Sequence, residues 1–189
     1  MPDSLIKLLA DGASRITWLP RLPTERMQLL SINTTAIREL HGLPARIDEL
    51  CCNGTPIQRL PKQLPSCRVL CVNACSQLQQ LPEHLPADLV ELYCKGCSAL
   101  QRLPDHLPAG LKTLDCSGCG ALRQLPAQLP PALEYLQVFG CTALRQLPEL
   151  PPSLKVLSCS GCSRLQQVPD ASKTQALVLS GWQLHWLSG

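Results

Sequence analysis

The sequence predicts a solenoid of short parallel strands, because one leucine-rich unit recurs at steps of 20 to 22 along most of the 189-residue chain. Two features of composition favour the same fold. The chain contains 18 Pro, which disfavour long helices and the middle of ordinary strands. Leucine is the commonest residue type and aromatic residues make up only 3%, so the core must consist mainly of leucine. A stack of similar repeats can have such a composition, because each repeat packs its leucines only against its neighbours.

Each unit contains the pattern L-x-x-L-x-[LVIC]-x-x-[CT], which is the leucine-rich-repeat signature. The copies LPEHLPADLVELYCKGCSALQR at residues 81 to 102 and LPDHLPAGLKTLDCSGCGALRQ at residues 103 to 124 show it clearly. The strands are expected to start at Met27, Ile47, Cys67, Leu89, Leu111, Leu133 and Leu154, which gives successive steps of 20, 20, 22, 22, 22 and 21. We therefore predict a leucine-rich-repeat solenoid with an N-terminal cap at 1–18, seven repeats at 19–167, and an eighth strand with a C-terminal cap at 168–189.

Each repeat is expected to give one short strand on the concave face and an extended return path on the convex side. Within the strand, Leu92 and Cys94 should point inward, while Glu91, Tyr93 and Lys95 point outward. The return path carries Leu-Pro twice per repeat, and proline fixes φ and excludes a helix there. The convex side should therefore be polyproline-like, with few or no helices.

The first residues predict the one exception, a short amphipathic capping helix over residues 4–12 (SLIKLLADG). Ser4 can cap its start, Leu5, Leu8 and Leu9 share one face, and Gly12 can end it. Such a cap would cover the core at the first repeat, which a stack otherwise exposes.

Composition and motifs exclude several classes of function. A net charge of +3 with only 16% charged residues is too weak a basic character for a nucleic-acid-binding protein. No apolar run approaches the length of about 18 or more that a membrane span needs, and the N-terminus lacks the features of a Sec signal peptide. Because no catalytic motif stands out from the repeat, we predict no catalytic residue and no enzymatic activity.

The twelve cysteines allow a metal interpretation and a structural one. Pairs such as Cys94-x-x-Cys97 have the spacing of zinc ligands. However, Cys94 occupies the core position that Val72 fills, and Cys97 occupies the turn position of Thr35, where a thiol can donate to a backbone carbonyl. The repeat favours the structural interpretation, so we predict no metal and no cofactor, with zinc-dependent stability as the alternative.

Cys51 and Cys71 differ from the other cysteines because they fall on the outward face of their strands. They are either reactive or inert surface thiols. Disulfides between stacked neighbours are sterically conceivable, but twelve cysteines in a chain without a signal peptide suit a reducing compartment better.

The concave face is the predicted binding site. All three Tyr and Phe residues of the chain fall on its outward or rim positions, with apolar neighbours and charges of both signs around them. Exposed aromatics of this kind are typical of binding hot spots, and mixed charges favour a protein partner. The predicted partner-binding residues are Tyr93, Tyr135, Phe139, Val90, Glu91, Lys95, Lys112, Asp115, Glu134 and Lys155. An ordinary solvated sheet surface is the alternative.

The doubled Leu-Pro of LPEHLP and LPDHLP resembles the LPX leucine-rich repeats of bacterial effectors injected by type III secretion, the YopM and IpaH kind. The resemblance covers roughly residues 19–182. Where that family usually has Asn, this chain has Cys97, Cys119, Cys141, Cys162, Thr35 and Thr55. Segments such as LDCSGCGAL and INTTAIREL are instead similar to repeats of plant intracellular immune receptors, which leaves a fragment of such a receptor as an alternative.

The effector resemblance implies a curved solenoid that is exported from the bacterial cytoplasm to the host cytoplasm and binds a host protein. Many family members also carry a ubiquitin-ligase domain with a Cys-x-Asp motif, and none of the twelve cysteines here lies in one. We therefore expect a non-enzymatic interaction protein. The alternative is that the chain is the substrate-recognition part of a larger ubiquitin ligase.

Overall fold

A computed structural model describes residues 6–167, residue 169 and residues 177–179. In this part of the chain, nine strands form one parallel sheet in which the order of the strands follows the sequence. This is the leucine-rich-repeat solenoid predicted above. Apart from the last strand, the C-terminal cap predicted at 168–189 lies almost wholly outside the described residues. The strands are β1 Lys7–Leu9, β2 Arg26–Ser31, β3 Arg46–Cys51, β4 Val69–Cys71, β5 Glu91–Tyr93, β6 Thr113–Asp115, β7 Tyr135–Gln137, β8 Val156–Ser158 and β9 Leu177–Leu179.

The core consists of columns of equivalent side chains. Leu70, Leu92 and Leu114 are paired neighbours on β4, β5 and β6, and each is fully buried. Cys94 is also fully buried, which confirms the predicted inward positions of that repeat. Burying a leucine side chain stabilises a fold by about 1.5 to 3 kcal/mol, so the repeated leucines dominate the stability of each repeat.

The return path is free of helix in the described residues, as the prolines predict. The nitrogen of Leu89 donates a hydrogen bond to the carbonyl of Pro86 at 3.1 Å, and Leu111 donates to Pro108 at 3.0 Å in the next repeat. The second proline of each doubled Leu-Pro thus closes a turn that leads into the following strand. No helix in the described part of the chain is long and apolar enough to cross a membrane.

The predicted capping helix over residues 4–12 is wrong for the residues that the structure describes, because residues 7–9 form β1. The edge of β2 presents backbone groups that a helix would leave without partners, and a strand satisfies them. Ala10 donates to the carbonyl of Ser31 at 2.8 Å, and Gly12 donates to that of Asn33 at 2.8 Å. The segment KLLADG therefore forms the strand and turn of a further repeat, equivalent to residues 29–34.

An asparagine ladder holds together the turns after β2, β3 and β4. The Asn33 side chain accepts a hydrogen bond from the nitrogen of Asn53 at 2.7 Å, and Asn53 accepts one from Asn73 at 2.7 Å. Asn73 in turn accepts from the nitrogen of Lys95 at 2.8 Å, and Asp11 accepts from Asn33 at 2.9 Å. Each side chain thus satisfies a backbone donor of its neighbour.

A second ladder, made by thiols, runs through the later repeats. Cys97 donates to the carbonyl of Val72 at 3.0 Å, and Cys119 donates to that of Cys94 at 3.0 Å, in each case one repeat back. Thr35 differs because its hydroxyl donates to the carbonyl of Ile32 in its own repeat at 2.9 Å. The predicted role of these positions, donation to backbone carbonyls, is confirmed.

Candidate functional site on the concave face

The outward positions of the strands form two columns on the face of the sheet opposite the core, which we call the concave face. The register places Leu29, Glu49, Val69, Glu91, Thr113, Tyr135 and Val156 in the first column. The second column contains Ser31, Cys51, Cys71, Tyr93, Asp115, Gln137 and Ser158. Parallel strands lie about 4.8 Å apart, so each column is a continuous surface along the solenoid.

Tyr135 and Phe139 are the exposed aromatic residues of the concave face in the described chain. Their side chains are 39% and 53% exposed, respectively. Tyr135 pairs with Val156 on the next strand, while Phe139 lies in the turn after β7, where its carbonyl accepts from Gly118. One repeat therefore presents two large apolar side chains to solvent, next to a half-buried valine.

Tyr93 is less available than the other two aromatics. It is half-buried, and its hydroxyl donates to Glu91 at 2.8 Å. Burial, together with this hydrogen bond, raises the pKa of Tyr93 to about 12. The register aligns Tyr93 with Asp115 and then with Gln137, two strands away, which places it roughly 10 Å from the end of β7.

The predicted charged residues divide into exposed and enclosed groups. Glu134 lies between Lys112, whose Nζ is 3.2 Å from one carboxylate oxygen, and Lys155, which contacts the other oxygen. Hydrogen bonds from Lys155 and then Lys112 lower the pKa of Glu134. Lys95 is exposed in the turn after β5. Asp115 is only 9% exposed, and its carboxylate accepts from the nitrogen of Ser117 at 2.8 Å.

The structure thus brings most of the predicted site residues together on four adjacent repeats. Tyr135, Phe139 and the lysine–glutamate group lie on β6, β7 and β8 or in the turns that flank them. Val90, Glu91 and Tyr93 form a half-buried group on the neighbouring repeat.

Sequence reasoning missed a second exposed apolar group near the N-terminus. Trp18 is 71% exposed, and Ile6, Leu9 and Ile16 are exposed as well. Trp18 lines a shallow depression with Arg38, and the depression lies away from the strands of the concave face. The repeat pattern that we recognised starts only at residue 19, so periodicity gave no signal for these residues, although Leu9 lies on β1 in register with Ser31.

Cys51 and Cys71 form a group with an acidic residue, but Cys51 is only 7% exposed, so the prediction of a surface thiol is wrong for Cys51. Cys51 and Cys71 are register neighbours on β3 and β4, and the Cys51 thiol donates to Glu49 at 3.4 Å. The interaction with the Cys71 thiol, together with burial, raises the pKa of Cys51, while the interaction with Cys51 lowers the pKa of Cys71. Among the described residues, only Glu49, Cys51 and Cys71 bring three metal-ligand atoms within 4.8 Å of one another.

The paired Cys-x-x-Cys positions do not share one site in this way. Cys94 donates to the carbonyl of Asp115 in the following repeat at 3.3 Å, whereas Cys97 donates to Val72 in the preceding repeat. The two thiols of the pair thus serve opposite neighbours, and burial raises the pKa of Cys97 to about 12. This arrangement is that of structural cysteines.

The fold and its exposed sheet face define a leucine-rich-repeat protein. The chain is similar to YopM from Yersinia enterocolitica WA-314, with a TM-score of 0.64 and 28% identity over 88% of this chain and 39% of YopM. It is also similar to the leucine-rich-repeat domain of the type III effector XopL, with a TM-score of 0.62 and 20% identity over 95% of this chain and 77% of that domain. Neither a family model nor a curated protein matches the sequence. The chain spans about two fifths of the length of YopM.

Proposed function

We propose that this protein is a non-enzymatic type III effector that binds a host protein on its concave face. The observation that carries the proposal is the pair Tyr135 and Phe139, because one repeat exposes two large aromatic side chains on the concave face, where the remaining aromatic, Tyr93, is half-buried. The doubled Leu-Pro repeats and the likeness to YopM support the effector part of the proposal. Secretion takes the protein from the bacterial cytoplasm to the host cytoplasm.

The physical basis of binding is the combination of apolar area with charges of both signs. Tyr135, Phe139 and Val156 offer the apolar centre that hot spots require. Lys112, Glu134 and the neighbouring Lys155 form a charged rim that excludes partners of unsuitable charge. The partner should therefore present an apolar projection surrounded by polar groups. Nucleic acid and membrane are not expected to bind.

The test is affinity capture from host-cell lysate with a surface variant that keeps the fold. Thr113 and Ser117 occupy the equivalent positions of β6 and its turn, so the double variant Tyr135→Thr, Phe139→Ser introduces residues that neighbouring repeats already accommodate. Trp18→Ala is the matched control, because Trp18 is an exposed aromatic residue away from the concave face. Thermal unfolding should show that both variants remain folded.

The double variant should lose the partner, with affinity reduced about 30-fold or more, which corresponds to about 2 kcal/mol for hot-spot residues. Trp18→Ala should bind like the wild type. Equal binding by the wild type and the double variant would contradict the proposal, as would loss of binding in Trp18→Ala alone. Delivery is tested separately with a translocation reporter, whose signal should disappear in bacteria without a type III apparatus.

A second candidate follows from the resemblance to bacterial effectors, many of which carry a ubiquitin-ligase domain. The chain would then be the substrate-recognition domain of a larger bacterial ubiquitin ligase, with the same concave face as its binding site. Sequencing the native reading frame distinguishes the two, since the ligase requires a further domain containing a Cys-x-Asp motif. Ubiquitin transfer to the captured partner by the full-length protein would establish the second candidate.

A further inference from the structure

Three potential metal ligands meet on the concave face where β3 and β4 lie side by side. They are the Glu49 carboxylate, the Cys51 thiol and the Cys71 thiol, and their ligand atoms all lie within 4.8 Å of one another. We propose that these residues form a binding site for a thiophilic divalent cation, with Zn²⁺ as its ligand.

The backbone already provides the geometry that such a site needs. Tetrahedral zinc with Zn–S distances of about 2.3 Å and Zn–O distances of about 2.0 to 2.2 Å separates its ligand atoms by roughly 3.5 to 3.8 Å. Cys51 Sγ lies 3.4 Å from Glu49 Oε1, and Cys71 is the register neighbour of Cys51. Because Glu49 and Cys51 are two residues apart on one strand, they share a face.

The chemistry of the ligands selects the kind of cation. Thiolates favour zinc over magnesium and calcium, which prefer oxygen ligands in larger number. On binding, the two thiol protons pass to solvent, and the two thiolates and the carboxylate outweigh the charge of the cation by one. Glu49 is exposed, Cys71 is half-exposed and Cys51 is buried, so the cation would enter past Glu49 and Cys71, and water can take the fourth position.

The other cysteines show why this cluster differs from a chance approach of two thiols. Cys94 and Cys116 also stack, with 3.3 Å between their sulfurs, but both are fully buried. Among the described residues, that pair belongs to no group of three ligand atoms. It has neither an entry path nor a third ligand, and it therefore serves as a matched control.

Both pairs can be replaced with residues that the same columns already contain. Ser31 and Ser158 occupy the column of Cys51 and Cys71, so the double variant Cys51→Ser, Cys71→Ser should fold. Val72 and Val138 fill the core position equivalent to Cys94 and Cys116, so Cys94→Val, Cys116→Val is the control.

The experiment titrates the reduced, metal-free full chain with Co²⁺ as a spectroscopic probe and then displaces it with Zn²⁺. The wild type and the Cys94→Val, Cys116→Val control should each bind one Co²⁺ per chain with a cobalt–thiolate charge-transfer band that Zn²⁺ removes. The Cys51→Ser, Cys71→Ser variant should lack the band. Glu49→Gln should weaken Zn²⁺ binding by about tenfold or more, the effect that even outer-shell partners have on metal affinity.

Three outcomes would overturn the proposal. The first is the absence of a thiolate band in the fully reduced wild type. The second is an undiminished band in the Cys51→Ser, Cys71→Ser variant. The third is a disulfide between Cys51 and Cys71 that intact-mass measurement shows to persist in excess thiol reductant, because sulfurs joined in this way cannot act as thiolate ligands. The readout needs no protein partner, so failure here leaves the proposed binding function untouched.

Discussion

The repeats of β2 to β4 (residues 26–80) and those of β5 to β8 (residues 81–167) follow the same backbone path but close their turns with different chemistry. In the first group, Asn33, Asn53 and Asn73 accept hydrogen bonds from backbone nitrogens of the next repeat. In the second group the asparagines are absent, and thiols such as Cys119 donate to backbone carbonyls of the preceding repeat, as Cys75 at the end of the first group already does. In a stack, backbone polar groups of each turn need hydrogen-bond partners from the neighbouring repeat. A side-chain acceptor can serve the backbone nitrogens, and a side-chain donor can serve the carbonyls.

The backbone of the turn differs between the groups in the same way. In the first group, Thr34 and Ala74 adopt a positive φ of 56° and Gly54 adopts one of 65°. In the second group this position is glycine, as in Gly96 and Gly118 at 72°. Residues with a Cβ are strained in this region and glycine is not. The first group therefore carries strain in two of its three turns, while the glycine turns of the second group are relaxed.

The largest difference between the ladders should appear when a thiol is removed. Cys119→Ala leaves a cavity at a fully buried position and removes a donor to the Cys94 carbonyl, so it should lower the free energy of unfolding by about 1 to 3 kcal/mol. Cys119→Thr should cost less, because a hydroxyl can close its own turn as Thr35 does. Urea denaturation measures both. Equal losses would show that the donor contributes nothing.

The turn strain predicts opposite effects of two small substitutions. Gly118→Ala should lower the free energy of unfolding by about 1 to 2 kcal/mol, the cost of a left-handed conformation for a residue with a Cβ. The added Cβ would lie 3.6 Å from the Gly96 Cα, which is ordinary contact, so the effect is conformational. Ala74→Gly should raise the free energy of unfolding by up to about 1 kcal/mol. Thermal unfolding of both variants checks the signs, and a loss in Ala74→Gly would contradict the strain argument.

The asparagine ladder should respond to loss of one acceptor by about 1 kcal/mol. Asn53→Ala leaves the Asn73 nitrogen without its partner, and hydrogen exchange of that amide should accelerate. Asn53→Asp is the control, because the carboxylates of Asp11 and Asp115 also accept from backbone nitrogens in their turns. Urea denaturation at neutral pH should give Asn53→Asp near-wild-type stability. If both variants lose equal stability, loss of the side-chain hydrogen-bond acceptor at position 53 is not the cause.

The smallest expected effect concerns the exposed ion pairs of the second group. Lys155 and Lys112 lower the pKa of Glu134, so their contribution is present above the ordinary pKa of a glutamate and is lost as the pH falls through the lowered value. Carboxyl chemical shifts in an NMR titration should show the lowered pKa. Lys155→Met should return it toward the ordinary value, and high salt should do so in part. An unchanged pKa in Lys155→Met would mean that the pair does not persist in solution.

Much of the fold could be predicted because the repeat defines the direction of each side chain. The inward leucines, the helix-free return path and the donor role of Cys97 all follow from period and position. The asparagine ladder was missed although Asn33, Asn53 and Asn73 recur once per repeat, because our pattern left their position unspecified. Similarly, KLLADG aligns with residues 29–34, but the spacing of Leu5, Leu8 and Leu9 fits one face of a helix equally well.

The sequence predicted which face of the sheet carries the candidate site, but not which side chains on that face are exposed. Alternation placed Tyr93, Asp115 and Tyr135 outward, and all three lie on the concave columns. It could not show that Asp115 turns back to the nitrogen of Ser117 or that Tyr93 donates to Glu91. Such local hydrogen bonds depend on rotamers and on neighbouring strands, which a single repeat does not specify.

The sequence by itself determined the solenoid, because a leucine at every equivalent position can be buried only when repeats stack in register. Tertiary structure alone decided which outward groups remain available, since exposure depends on what the neighbouring repeats offer as partners. Tyr135 and Phe139 remain exposed, whereas Asp115 is enclosed. Stacking also placed Glu49 and Cys51 beside Cys71, which lies one full repeat further along the sequence but on the adjacent strand.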